Sequence, residues 1–261
     1  MLTKLVPLPM VTLSKIRHMR IIAENLRFRL GFGRSRWYHT VHFLKLLPGL
    51  RLDTLTVIGT YDGKRNYHIL NMFIRHGQGW KELRYISPSQ LLGFPLTYRI
   101  IQEGVNITDR YQRKPQPADW NDAMNSRDGA TSQPSVAMYR SNTWYGDNCI
   151  KATRVKYEQE PPGPGEEDEF SKQRYGNLML FNERYKELRV VVRRGRGIDY
   201  QEKLGSPFLA IDDIRQDFPG MTWAEIKRQY IDSDRQYGSK YDNFGDEKRD
   251  IYKHTDDYVE Y

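Results

Sequence analysis

His39 and His42 stand at i, i+3 in "SRWYHTVHFLKLLPG" (35–49) and are the pair in this chain best spaced to share a metal ion. On a helix that spacing puts both imidazoles on one side, but a stable zinc site takes three or four protein ligands and no third lies nearby in the sequence. His18, His68 and His76 are single residues that read as strand or helix surface positions. The lone cysteine, Cys149 in "GDNCIKAT", has Lys151 two residues on, a cation that favours the thiolate. It lacks an adjacent base, so the pattern does not make a nucleophile. Asp212 and Asp213 read as turn residues ahead of a helix rather than as a general acid and base. "GFGRSR" (31–36) puts Arg36 where a phosphate-binding fingerprint needs its third glycine. The expectation is a non-enzyme with no cofactor and no metal.

Binding chemistry is better represented. Arg17, Arg20, Arg27, Arg29, Arg34 and Arg36 are interleaved with Phe28, Phe32 and Trp37, and "RRGRG" (193–197) adds a second basic cluster. Arginine neutralises phosphate and aromatic rings stack on bases, so Arg27, Arg29, Arg34 and Arg36 are candidates for contact with nucleic acid or another polyanion. No RNA-binding, zinc-finger or helix-turn-helix signature accompanies them. This is therefore the alternative reading, and a protein partner is favoured.

The chain has 261 residues and a formal net charge of +8, unevenly spread. Residues 1–94 hold 15 Lys and Arg against 4 Asp and Glu; the remainder holds 26 against 29. One cysteine cannot form an internal disulfide, which fits a reducing compartment, cytoplasmic or nuclear. The early apolar run "LVPLPMVTL" is interrupted by Pro7 and Pro9 and does not read as a signal peptide. No apolar run approaches the ~18–20 residues that span a bilayer, so no membrane role is expected.

The elements that must position these residues follow one template. Ile16-Met19-Ile21, Leu52-Leu55-Val57, Trp80-Leu83-Tyr85 and Tyr185-Leu188-Val190 each read apolar-x-x-apolar-x-apolar, as strands do. Segments 35–49 and 66–79, between the first three, carry apolar residues at helical spacing and end in Pro-Gly or Gly. Residues 16–87 thus read β-α-β-α-β, and strands joined by crossover helices are parallel. Template starts 36 and 28 residues apart make a degenerate leucine-rich-repeat-like unit.

The expected fold is α/β: a short parallel sheet with helices on one face over 16–94, within a single domain at 16–231. Residues 1–15 form an N-terminal extension and 95–231 an irregular part. Within that part, 95–109 reads as a strand or short helix, 117–130 as a helix and 135–141 as a strand. "EQEPPGPGEEDE" (158–169), with six acids and three prolines, marks a mobile acidic loop at about 156–176. Thr222 and Glu225 have capping-box spacing ahead of a terminal helix. Residues 232–261, with few aliphatics and 9 acids against 5 bases, read as a disordered tail.

"RHMRI", "LDTLTVIG", "FIRHGQGWKELRYISPSQLLGF", "RKPQPADWND", "KELRVVVRRGR" and "GMTWAEIKRQYID" together resemble a group of uncharacterised fungal proteins. Their repeat-like α/β part is similar to the region that follows an F-box in fungal F-box proteins. The similarity covers roughly 15–232, and its motifs are structural and imply no reaction. Residues 1–15 are too few for an F-box, so an adaptor role in ubiquitin ligation is not part of the expectation.

If the four look-alike strands align, the face away from the helices carries rows: Arg20, Thr56, Arg84 and Arg189 in one, His18, Thr54, Glu82 and Glu187 in the next, Ile22, Ile58, Ile86 and Val191 in a third. Arg84 and Arg189 would be like-charged neighbours, partly offset by the glutamates. Four aliphatic side chains in a row need a cover, either a partner or, as the favoured reading, the 95–180 segment, which contributes Trp120, Met124, Val136, Met138 and Trp144. The arginine and aliphatic rows are the candidate partner-binding residues of a non-catalytic interaction or scaffold module.

Overall fold

A computed structural model describes residues 2–24, 26–29, 35–93, 96–102, 105–111, 114–146, 153–159, 181–205 and 214–231. Asp62 opens the longest helix by accepting a hydrogen bond from the Arg65 amide at 3.0 Å, which satisfies one of the orphan donors of the first turn. From there Ile69, Leu70, Phe73 and Ile74 recur on one buried face of α4 (Gly63–His76). This helix is the crossover between β4 (Leu52–Ile58) and β5 (Trp80–Pro88), which pair in parallel. β1 (His18–Ile22) joins β4 in parallel on the other side, as the template requires.

The connection from β1 to β4 departs from the expected single helix over 35–49. β2 (Leu26–Arg29) and β3 (Ser35–Tyr38) form an antiparallel hairpin, and only α3 (Thr40–Leu44) is helical. The β-prone Trp37-Tyr38 pair explains the change. Tyr38 is fully buried, edge-on to Phe28 at 4.5 Å, and its hydroxyl donates to Asp217. Phe28 in turn stacks on Phe218 at 5.3 Å, so the hairpin is held by the C-terminal elements.

The sheet is mixed rather than parallel throughout. Its order is β1-β4-β5-β10-β8-β9, where β8 is Ser135–Trp144, β9 Arg154–Tyr157 and β10 Lys186–Arg193. β10 runs antiparallel to both neighbours, and β9 is antiparallel to β8. The chain reaches β10 from β5 by way of β8 and β9, which pair antiparallel, so the crossover rule that makes β1, β4 and β5 parallel does not extend to it. β6 (Leu96–Gln102) and β7 (Val105–Tyr111) make a separate antiparallel hairpin. The expected helix over 117–130 is α6 (Ala118–Asp128), closed by Gly129 at φ 82°. Residues 156–157, placed by the sequence in the mobile loop, belong to β9, and Gln159 exchanges hydrogen bonds with the Gln116 backbone at 2.7 and 2.8 Å; residues 160–176 and the 232–261 tail lie outside the described residues.

One core fills the space between the sheet and the helices. Leu55, Val57, Leu83, Tyr85, Val190 and Met138 supply the sheet side. Trp120 and Met124 of α6 join the same core, as do Trp223 and Ile226 of the terminal helix (Trp223–Ile226). That helix carries the expected capping box: the Thr222 amide donates to Glu225 Oε2 at 2.8 Å and the Glu225 amide to Thr222 Oγ1 at 3.3 Å. Residues 2–13 contribute two short helices, α1 (Leu2–Leu5) and α2 (Met10–Leu13), with Leu13 inside the core.

The end of α6 ties this assembly together. Asp128, whose side chain is 0% exposed, accepts from Arg194 Nε at 3.0 and 2.8 Å through its two oxygens and from the Gly195 amide at 2.8 Å. Arg127 beside it donates to the carbonyls of Phe73, Ile74 and Gly77, which closes the C-terminal end of α4. Both guanidinium carbons lie within cation–π reach of the buried Trp80 ring, at 5.7 and 5.6 Å. Asp128→Ala leaves Arg194 charged and buried, and by analogy with broken interior ion pairs costs about 3–5 kcal/mol. Urea denaturation should register that loss, and an Asp128→Leu/Arg194→Met double variant should recover most of it.

Candidate functional site

Alternation along the strands puts Arg20, Thr56 and Arg84 in one row on the face away from the core, in register across β1, β4 and β5 as expected. The fourth position differs. Because β10 is antiparallel, Arg84 faces Val191 and Ile86 faces Arg189, so the expected alignments of Arg189 with Arg84 and of Val191 with Ile86 are corrected. A period of two is blind to strand direction: it keeps Arg189 and Val191 on the predicted face while exchanging their neighbours. The like-charge contact between Arg84 and Arg189 is thereby avoided. Ala137 and Tyr139 of β8 extend the two rows beyond Val191 and Arg189.

The arginines of this face are organised by two glutamates. Glu82 accepts from Arg84 Nε at 2.6 Å through Oε1 and from Arg193 Nε at 2.7 Å through Oε2. Glu187 meets Arg154 Nε at 3.0 Å and Arg189 Nη2 at 3.7 Å through Oε1. Partial burial would raise the Glu82 pKa, but hydrogen bonds from Arg193 and Arg84 outweigh it and hold the carboxyl below its ordinary range. Each glutamate thus bridges two guanidinium groups. Among the described residues, Arg20 has no carboxylate partner.

The aliphatic row is closed from within the chain, although by a different residue from those expected. Ile58 and Ile86 form a small buried cluster with Tyr145, whose hydroxyl donates to the Gly59 carbonyl at 2.7 Å and whose amide donates to Tyr185 O at 2.7 Å. Burial, with Tyr61 next in effect, raises the Tyr145 pKa. Trp120, Met124, Val136 and Met138 lie in the main core instead. Ile22 and Val191 stay half-buried. Around Tyr145 the rings continue outward: Tyr61 stands edge-on to it at 5.4 Å, and Trp144 stacks on Tyr185 at 6.0 Å and 17°. Tyr61 and Trp144 remain 49% and 40% exposed, an aromatic border at the end of the sheet face. Of these rings the sequence singles out Trp144 and Tyr185 but not Tyr61 or Tyr145, which lie in separated segments that only folding brings together.

The basic-aromatic tract is divided by the fold. Arg27, Arg29 and Arg36 lie on the β2–β3 hairpin, with Arg27 paired to Trp37 and Arg36 to Phe28. Their side chains, and Arg34 altogether, lie outside the described residues. Phe28 is in the core, where it cannot stack on a base. Arg17 pairs with Asp53 at 2.9 Å. In the second basic cluster Arg193 holds Glu82 and Arg194 is buried on Asp128.

His39 and His42 come together as their spacing suggests, with ring centroids 6.0 Å apart, and His68 of α4 approaches His39 at 4.8 Å. Among the described residues no group of three or more His, Cys, Asp or Glu is arranged to hold a metal ion. Cys149, Lys151, Asp212, Asp213 and the 31–34 glycine segment lie outside them. Nor is any described helix long and apolar enough to cross a membrane. Comparison with protein families, curated proteins and solved structures finds no match for this chain.

Burial, then the neighbouring His68, His42 and Arg65, depress the His39 pKa from 6.5 to about 4, and burial lowers that of His68. The folded chain keeps these imidazoles neutral while the unfolded chain takes up protons below 6.5. Stability is therefore complete above that pH and falls as pH drops from 6.5 toward 4. Urea midpoints measured across this range should decline for the natural sequence and decline less steeply for His39→Gln.

Proposed function

We propose that this chain is a non-catalytic interaction or scaffold module that docks a protein partner on the sheet face, built as a degenerate leucine-rich-repeat-like unit and acting in the cytosol or nucleus. The observation that carries this reading is the composition of that face. Half-buried arginines Arg20, Arg84 and Arg189 adjoin Ile22 and Val191, and the face ends in the exposed rings of Tyr61 and Trp144. Arginine and large aromatic residues supply most of the binding energy at protein interfaces, and they do so when water is excluded around them. The parallel β1-β4-β5 arrangement with its α4 crossover supports the repeat-like description.

Binding of nucleic acid or another polyanion is the second reading. It rests on the excess of 15 basic over 4 acidic residues in 1–94 and on the hairpin bearing Arg27, Arg29 and Arg36, with Arg34 between its strands.

Affinity capture from cell lysate, with nuclease-treated and untreated samples side by side, tests the two. A protein set retained after nuclease treatment and lost with Tyr61→Ala/Trp144→Ala is the expected result. Loss on nuclease treatment, or binding that falls by ~10³-fold or more between about 50 and 200 mM salt, favours the polyanion reading instead.

A further inference from the structure

Resting on the interaction-module reading, we propose that the outer edge of β1 takes an extended acidic segment of a partner protein, which joins the sheet as a further strand and sets a carboxylate beside Arg20. β1 stands at one end of the strand order, and among the described residues no strand lies beyond it. Parallel pairing with β4 uses alternate residues of β1 and its flanks. The Arg17 carbonyl accepts from the Thr54 amide at 3.1 Å, and the Ala23 amide donates to the Ile58 carbonyl at 2.7 Å. The same parity turns the backbone groups of Met19 and Ile21 toward β4 and those of His18, Arg20 and Ile22 outward. Among the described residues no backbone group pairs with these outward N–H and C=O groups.

Such an edge presents donors and acceptors in equal number, which another polypeptide backbone matches and a row of phosphates, able only to accept, does not. The side chains beside it select the charge of the occupant. Arg20 is half-buried on the face away from the core, with Thr56 across from it on β4. Arg17 and Arg84 hold Asp53 and Glu82, whereas among the described residues no carboxylate pairs with Arg20 itself. At the opposite edge of the sheet, Arg154 and Lys156 of β9 already meet Glu187 at 3.0 Å and Glu158 at 2.8 Å. A carboxylate directly across from Arg20 on an added strand supplies the missing pair, and an aliphatic residue two positions along covers the half-buried Ile22. A second copy of this chain fits poorly, because the antiparallel register that pairs all five residues of β1 sets one Arg20 against the other. The excess of 15 Lys and Arg over 4 Asp and Glu in residues 1–94 attracts an acidic segment to the same edge.

The test is an NMR titration of the full chain with a synthetic peptide of about seven residues, a length that spans β1, in which Thr and Val alternate and the central Val is replaced by Glu. The expected result is saturable binding with slowed amide exchange at His18, Arg20 and Ile22, whose N–H groups become paired. N-methylation of alternate peptide residues, in two complementary sets, separates strand addition from simple charge attraction: one set should abolish binding and the other should leave it intact. Lys in place of the peptide Glu, or Arg20→Met in the chain, should weaken binding about tenfold, and Arg20→Glu should reverse the preference to the Lys peptide. Thermal melting verifies folding of the Arg20 variants, and the methylated peptides need no variant. Tolerance of both methylated sets, unchanged exchange at the three amides, or indifference to the sign of the charge at position 20 would overturn the proposal. So would displacement of the peptide by lower concentrations of a single-stranded RNA homopolymer, or a sedimenting dimer that the peptide dissociates, which assigns the edge to a second copy. Absence of peptide binding, with partner capture that survives Arg20→Glu yet still depends on Tyr61 and Trp144, would sink this inference and leave the interaction reading standing.

Discussion

The buried pair of Asp128 and Arg194 is the constraint on which the rest of this fold depends. Neither side chain has a useful route to water, at 0% and 3% exposure, so each requires the other in place. Satisfying them brings the end of α6 against the end of β10, while Arg127 on the same turn closes α4 and shares the Trp80 ring with Arg194. Three elements far apart in sequence are thereby fixed at one corner of the sheet. A purely apolar corner would tolerate sliding, whereas a buried charge pair has one satisfactory geometry.

That corner fixes where β10 ends, and the direction of β10 decides the character of the open face. Entering antiparallel, β10 sets Arg193 opposite Glu82 and Val191 opposite Arg84. The result is two bridged arginine pairs in place of the stacked guanidinium groups that a parallel strand would have produced. The chain bends at the end of β8 to bring Tyr145 over Ile58 and Ile86, so the aliphatic row is sealed where it would otherwise be most exposed. What remains outward is charged in the middle and aromatic at the border.

Much of this was legible in advance. The apolar template located β1, β4, β5 and β10, helical spacing located α4, and the helix read over 117–130 is α6. The capping spacing of Thr222 and Glu225 marked the last helix. Segment 35–49 misled because Trp37 and Tyr38 fit a helical period as well as a strand, and only the burial of Tyr38 against Phe28 and Asp217 separates the two. The cover of the aliphatic row was expected from the right part of the chain but from the wrong residues. Hydrophobicity told that Trp120 and Met138 needed burial without telling on which side of the sheet.

The sequence by itself determined which residues share a face, because side-chain alternation is a local property of an extended backbone that holds whichever way the strand runs. Tertiary structure alone decided which of those residues touch. Strand direction, the meeting of Tyr61, Tyr145 and Tyr185, and the pairing of Asp128 with Arg194 depend on chain closures over tens of residues. Local periodicity carries no information about such closures; they are selected by the burial and charge pairing of the whole core at once.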